Sequence, residues 1–294
     1  MDFLRRTKFL RLALAALACA ASFSSATPAG GKTFTDAPAA SKPLPFEPEE
    51  ELFFQGDFSR LMLRGIEIAE FHFTSGRAPA TPAAAGSQPA PPNIVFKGDV
   101  RAKGWFRRLF GIDFHYSHES VVDPNGFLIL RTTKLDEQGK RVRASVAEFD
   151  RRADRVTWTQ RNPNDPNADP RVVTNMIRDA AHDIISAIYY LRARPLATGQ
   201  SFDLVVSDDG QTYRVPVRVF ERKTMKTVAG KVATLRIGIG LFGDGHLVSD
   251  RKGDMTLWLT DDERRLPVRA RLDADVGTLD IKLKKFTGGI SRQK

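Results

Sequence analysis

Over most of this chain apolar and polar residues alternate one by one. Ile94, Phe96 and Val100 share one face of a segment whose other face carries Lys97, Asp99 and Arg101. Tyr213, Val215, Val217 and Val219 alternate with Arg214 and Arg218, and Met255, Leu257 and Leu259 with Thr256, Trp258 and Thr260. Leu279, Ile281 and Leu283 alternate in the same way with Asp280, Lys282 and Lys284. Successive side chains of a strand point to opposite faces, so a period of two predicts antiparallel strands with one buried and one wetted face. Turn chemistry falls between the runs, at Asp123-Pro124-Asn125-Gly126, Asp136-Glu137-Gln138-Gly139, Asp208-Asp209-Gly210 and Val228-Ala229-Gly230. Gly, Asn and Asp tolerate the backbone angles that hairpin turns demand.

One stretch has a different period. Val173, Met176, Ile177, Ala180, Ile184, Ile188 and Leu191 recur at steps of three and four, after an Asp169-Pro170 pair suited to an N-cap and first turn. The spacing predicts one long amphipathic helix of about six turns. Its wet side would carry Arg171, Arg178, Asp179, His182 and Asp183, and Pro195 would end it. A shorter helical turn is expected around Trp105 to Phe110. The resulting fold class is mainly β: a curved antiparallel sheet or open β-barrel of some ten strands, with the long helix packed on its concave side.

The two ends of the alternating region differ in composition. Arg5, Arg6, Lys8 and Arg11 precede an apolar run from Leu12 to Ala21 and the small residues Ser24, Ser25 and Ala26. This reads as a signal peptide over 1–26, too short to span a bilayer, with cleavage after Ala26 and a periplasmic or secreted product. Two other export routes compete. Cys19, the sole cysteine, follows Ala16-Leu17-Ala18, a poor match to a lipid-attachment site, and the Arg5-Arg6 pair lacks the apolar residue that a twin-arginine signal carries where Lys8 stands. Residues 27–50, rich in Pro, Ala and Gly, read as a flexible linker, and 51–290 as a single β-rich domain. A Pro-rich insertion at 77–92 holds five prolines, which suit neither strand nor helix.

Cleavage after Ala26 would remove Cys19 and with it any disulfide, thiol nucleophile or cysteine metal ligand. It would also take away four basic residues and one acidic residue, moving the net charge from +10 to +7. For an exported protein that excess favours anionic lipid or acidic glycan over nucleic acid, which is not an expected partner.

No catalytic or metal-binding constellation emerges. His115 and His118 lie three apart in a predicted strand and therefore face opposite ways, while the adjacent His182 and Asp183 diverge on the predicted helix. His72 and His246 stand apart from both, and all five histidines read as solvated or hydrogen-bonded scaffold. Asp165, Asn167 and Asp169 have the alternation of a calcium loop, but Pro166 and Pro170 stiffen it and the closing Glu is missing. Asp261-Asp262 follows a strand as turn residues do. Gly238-Ile239-Gly240 and Gly243-Asp244-Gly245 read as loop glycines, and no nucleophile elbow, phosphate loop or dinucleotide fingerprint occurs. No cofactor is expected.

Three stretches carry a resemblance. Val121-Val122-Asp123-Pro124-Asn125-Gly126-Phe127, then Ile184 to Arg192 with Pro195, Leu196 and Gly199, then Trp258-Leu259-Thr260-Asp261-Asp262 with Arg265-Leu266-Pro267-Val268, resemble a family of exported bacterial proteins known only as a domain of unknown function. The likeness runs over about Phe58 to Phe286. It implies a periplasmic β-rich domain and brings no activity with it.

These motifs single out Tyr189, Tyr190, Arg192, Trp258 and Arg265 as candidate binding residues. Trp258 should point away from Leu257 and Leu259, so its indole is either covered by a second layer or left for a ligand. The sequence therefore leads to an envelope protein that binds a lipid or other amphiphile. The alternative is a non-enzymatic adaptor for other envelope proteins, and an unrecognised hydrolase ranks third.

Overall fold

The computed structural model describes residues 44–289, apart from 47–48, 80–90, 106–107, 109–110, 112, 178, 244–245, 249–251 and 276. The expected signal peptide, most of the expected linker, most of the Pro-rich insertion and most of the Trp105–Phe110 turn lie outside the described residues.

The alternating segments form strands β1 (Glu50–Arg60), β2 (Leu63–Arg77), β3 (Ile94–Ala102), β4 (Phe114–Asp123), β5 (Leu128–Gln138), β6 (Arg141–Asp150), β7 (Arg155–Arg161) and β8 (Arg171–Met176). After β9 (Ala181–His182) and helix α1 (Ile184–Ala193) come β10 (Ser201–Asp208), β11 (Gln211–Thr227), β12 (Gly230–Ile239), β13 (Gly253–Thr260), β14 (Pro267–Ala274) and β15 (Gly277–Gly288). They make one sheet in the order β8-β7-β6-β5-β4-β3-β2-β1-β15-β14-β13-β12-β11-β10-β9. Neighbours are antiparallel except β9 and β10, where Ala181 and His182 run parallel to Val205 and Val206. The sheet is thus a long meander whose first and last strands lie side by side, β1 against β15.

The sheet curls until its two ends meet but do not hydrogen-bond as a ladder. Arg151, in the turn after β6, bridges the seam by donating to the carbonyls of Ile129, Asp179 and Ala181 at 3.1, 3.3 and 3.4 Å. Ile129, Phe149, Val156, Trp158, Ala181 and Val205 pack together across it. An open barrel is the result, and the expected mainly β architecture holds with fifteen strands among the described residues in place of some ten.

The helix departs further from expectation. Residues 171–176 are not its first turns but strand β8, paired with β7 from Gln160↔Arg171 to Arg155↔Met176. Of the residues whose spacing imitated a helix face, Met176 is 56 % exposed, while Val173 and Ile177 pack into the cluster at the seam. The run Val172-Val173-Thr174 is β-branched, and the ladder with β7 pairs one edge of its backbone. The N-cap is Asp183, not Asp169: its carboxylate accepts from the Ser186 N–H at 2.8 Å, and the Ser186 hydroxyl accepts in return from the Asp183 N–H at 2.9 Å. At the other end the Arg194 N–H donates to the Tyr190 carbonyl at 3.2 Å before Pro195 stops the helix.

Nor does the ten-residue helix keep a wet face. Ile185, Ser186, Ala187, Tyr189, Tyr190, Leu191 and Arg192 are all buried, as are His182 and Asp183 just before it. A helix buried on nearly every side belongs inside a core, and α1 lies within the curl of the sheet. It approaches β3 most closely at Gly98, where a Cβ would stand 2.7 Å from Ile185 Cδ1 and 2.9 Å from the Phe73 ring. Phe46, from the end of the expected linker, also enters this core, with its ring 5.0 Å from that of Tyr189 and 5.2 Å from that of Phe96.

Candidate functional site

A buried charge holds each end of α1. At the N-terminus the Asp183 carboxylate accepts from His118 Nε2 at 2.9 Å, the Thr132 hydroxyl at 2.9 Å and the Ser120 hydroxyl, besides its capping bonds to Ser186. His118, Ser120 and Thr132 come from the inward faces of β4 and β5, so the helix start is tied to the sheet by three separate bonds. Burial alone would push the Asp183 carboxyl up, but the His118 ring and these donors hold it well below the usual carboxylate range. The His118 Nδ1 lies 3.1 Å from the Tyr116 hydroxyl. Ser, His and Asp meet here without a triad's geometry, because Ser120 and His118 both bind the same carboxylate oxygen and no serine is bonded to the ring.

At the C-terminus Arg192 makes a two-pronged ion pair with Glu50 of β1 at 2.6 and 2.7 Å. Its Nε donates to the Arg265 carbonyl at 3.1 Å and its Nη2 to the Arg264 carbonyl at 3.2 Å, while the guanidinium also faces the rings of Tyr189 and Phe46. Arg192 thereby fastens the helix to the first strand and to the β13–β14 turn. Its charge is matched by Glu50 at a site where neither side chain meets solvent.

Between these two anchors α1 and the sheet do not meet fully. A cavity of about 110 Å³ lies between the helix and strands β1, β2 and β10 to β15. Phe54, Phe71, Ile184, Ile188, Leu257 and Ala270 are among its walls, and among the described residues Arg192 and Arg269 are the charged ones that border it. Ile184 and Ile188, expected in the packed core, are only partly buried because they face this space. An apolar cavity of roughly 150 Å³ stays dry and accepts a small apolar guest. Left empty, about 110 Å³ costs on the order of 2–3 kcal/mol of stability by the relation between cavity volume and packing energy.

The sequence candidates divide between this cavity and other places. Tyr189 and Arg192 border it; Tyr189 stacks on Phe96 with ring centres 4.0 Å apart. Arg265 reaches Arg192 through its carbonyl and turns its guanidinium to Asp261 at 3.0 Å. Tyr190 stacks against His182, with centres 4.3 Å apart. Trp258 stands between its cross-strand neighbours Arg236 and Arg269, with the Arg269 guanidinium 5.1 Å from its ring centre and 9 % of its surface exposed. The residues that sequence reasoning passed over are Glu50, His118 and Asp183. Asp183-Ile184-Ile185-Ser186 has capping-box spacing, with Ser in place of the usual Glu, and was the one available signal.

His115 lies on the face opposite His118, between Asp99 and Glu137 at 2.6 Å each, and these contacts raise its pKa although partial burial opposes them. His72 stacks on Phe53, and His246 Nδ1 lies 3.0 Å from the Gly240 carbonyl. Lys134 is buried and pairs with Asp208, with Asp209 at 3.4 Å. Burial and the neighbouring Asp208 push the Asp209 carboxyl up to about 6 even though Lys134 pulls it down. Among the described residues no cluster of three or more His, Cys, Asp or Glu side chains could hold a metal ion, and no helix is long and apolar enough to cross a membrane.

Fold and cavity together define an open, barrel-like sheet wrapped around a central helix. The chain belongs to the family of proteins of unknown function DUF3108, whose pattern matches residues 76–284. Among curated proteins none matches. A solved structure with a similar fold is the β-barrel-like protein of domain of unknown function DUF1849 from Brucella abortus, at 8 % identity and a TM-score of 0.50, covering 81 % of this chain and 96 % of that one. A presumptive lipoprotein from Parabacteroides distasonis aligns at 9 % identity over 86 % of this chain and 100 % of its own, with a TM-score of 0.31.

Proposed function

We propose that this is an exported envelope protein that binds the apolar end of an amphiphilic molecule between α1 and the sheet. The observation that carries the reading is the cavity of about 110 Å³ with almost wholly apolar walls, held open by a helix anchored at both ends. A volume of that size suits a short length of alkyl chain or one ring, so the polar part of the guest would remain outside. Tyr189 is the candidate wall for it, and Arg192 closes the helix end of the chamber. Export rests on the basic and apolar start of the sequence, Arg5 to Ala21, followed by Ser24-Ser25-Ala26.

The test is a thermal-shift series with alkyl amphiphiles of increasing chain length, on the wild type and on Ala270→Leu. Ala270 borders the cavity, so the larger side chain fills it. The wild type should gain stability with chain length and the variant should not. A wild type indifferent to every chain length, from which lipid extraction also recovers nothing amphiphilic, would sink the reading.

A further inference from the structure

The turn between β1 and β2 is apolar and bare. Leu61 is 88 % exposed and Met62 97 %, at the tip of a hairpin whose last cross-strand pair is Arg60↔Leu63. Neither residue suits the place for folding reasons. Leu61 has φ +49, in the left-handed region where a two-residue hairpin turn takes Asn or Gly without strain. Neither side chain gains from burial in the fold.

The arm that carries this tip is braced. The Gly65 N–H donates to the Ser59 hydroxyl at 2.9 Å, β15 flanks β1 as far as Ser59↔Thr278, and Lys282 pairs with Asp57 at 3.0 Å. Arg60 and Arg64 flank the tip in sequence, and neither forms an ion pair with another described residue. The chain carries a net charge of +10, or +7 without residues 1–26.

We propose that Leu61 and Met62 form a membrane-docking point, inserted into the surface layer of an anionic bilayer while Arg60 and Arg64 engage the lipid phosphates. A bilayer edge presents hydrocarbon beneath a layer of phosphate, and an apolar point with basic shoulders matches both layers. A stable protein interface takes some 20–30 residues a side, which a two-residue tip does not offer. The docking point is independent of the cavity and brings a barrel that could hold an amphiphile to the surface where amphiphiles reside.

Co-sedimentation with vesicles tests it, using phosphatidylglycerol–phosphatidylethanolamine vesicles, phosphatidylcholine vesicles, and salt near ~0.1 M so that long-range attraction is screened. The wild type should bind the anionic vesicles and bind phosphatidylcholine weakly. Leu61→Asn with Met62→Gly installs a favourable turn and keeps every charge, so the protein should stay folded, with an unchanged or raised thermal midpoint, and bind at least about tenfold more weakly. Equal binding by wild type and this variant would mean general attraction of a basic protein and would overturn the proposal, as would failure of the wild type to bind. Ala270→Leu should bind vesicles like the wild type, so an error about the cavity would not be mistaken for one about the tip.

Discussion

At the scale of single residues the buried charges decide most. His182 is enclosed beside Tyr190, and burial lowers its pKa to about 4 despite the neighbouring Asp183. A base whose folded pKa lies below its unfolded value of about 6.5 contributes stability that is complete above the unfolded value and lost as the pH falls towards the folded one. Between about pH 6.5 and 4 the wild type should therefore lose stability, on the order of 3 kcal/mol from this residue. His182 Nδ1 has no hydrogen-bond partner, so His182→Phe should fit the aromatic stack and flatten that slope in urea titrations at several pH values. A slope unchanged by the substitution would assign the loss to another group. The Glu50–Arg192 pair gives a second expectation: Glu50→Gln leaves a buried guanidinium uncompensated and should cost about 3–5 kcal/mol. Glu50→Gln with Arg192→Met should recover part of it, since the unpaired charge is then gone.

At the scale of elements the helix has one firmly packed side and one loose side. Both Ile185 and Ile188 border the cavity, but Ile185 is buried and presses on Gly98, whereas Ile188 is only partly buried. Ile185→Ala should cost about 2–5 kcal/mol, the usual range for emptying a filled core site. Ile188→Ala should cost clearly less, because part of the surrounding space is already empty. Equal costs in equilibrium unfolding would mean that the cavity collapses in solution. The β1–β2 arm shows the opposite economy, spending two exposed apolar residues and a left-handed leucine on nothing that the fold uses.

At the scale of the molecule the sheet could have packed its helix more tightly and did not. The two anchors, Asp183 on β4 and β5 and Arg192 on β1 and the β13–β14 turn, fix where the helix lies, and a cavity remains beside the small side chain of Ala270. Ala270→Leu should therefore raise the stability of the unliganded protein, by about 1 kcal/mol, as cavity filling commonly does. The gain in stability follows from filling the space whatever its use; the wild type's response to amphiphiles is what separates a binding chamber from a packing fault.

The strands were legible from the sequence because a half-buried strand writes its pleat directly into the order of residues. Ile94-Phe96-Val100 and Leu279-Ile281-Leu283 alternate because one face of each meets the core, and the Gly and Asp turns between strands follow from local backbone sterics. Residues 171–183 were not legible in that way. Their apolar spacing fits a helix, and only the ladder offered by β7 makes Arg171–Met176 extended, as the parallel contact to β10 does Ala181–His182. The site was less legible still, since Glu50 and Arg192 are 142 positions apart and His118 and Asp183 are 65 apart. A sequence records which residues are apolar or charged, but the volume left between a helix and a sheet depends on where distant anchors hold them, and that is set only when the chain has closed on itself.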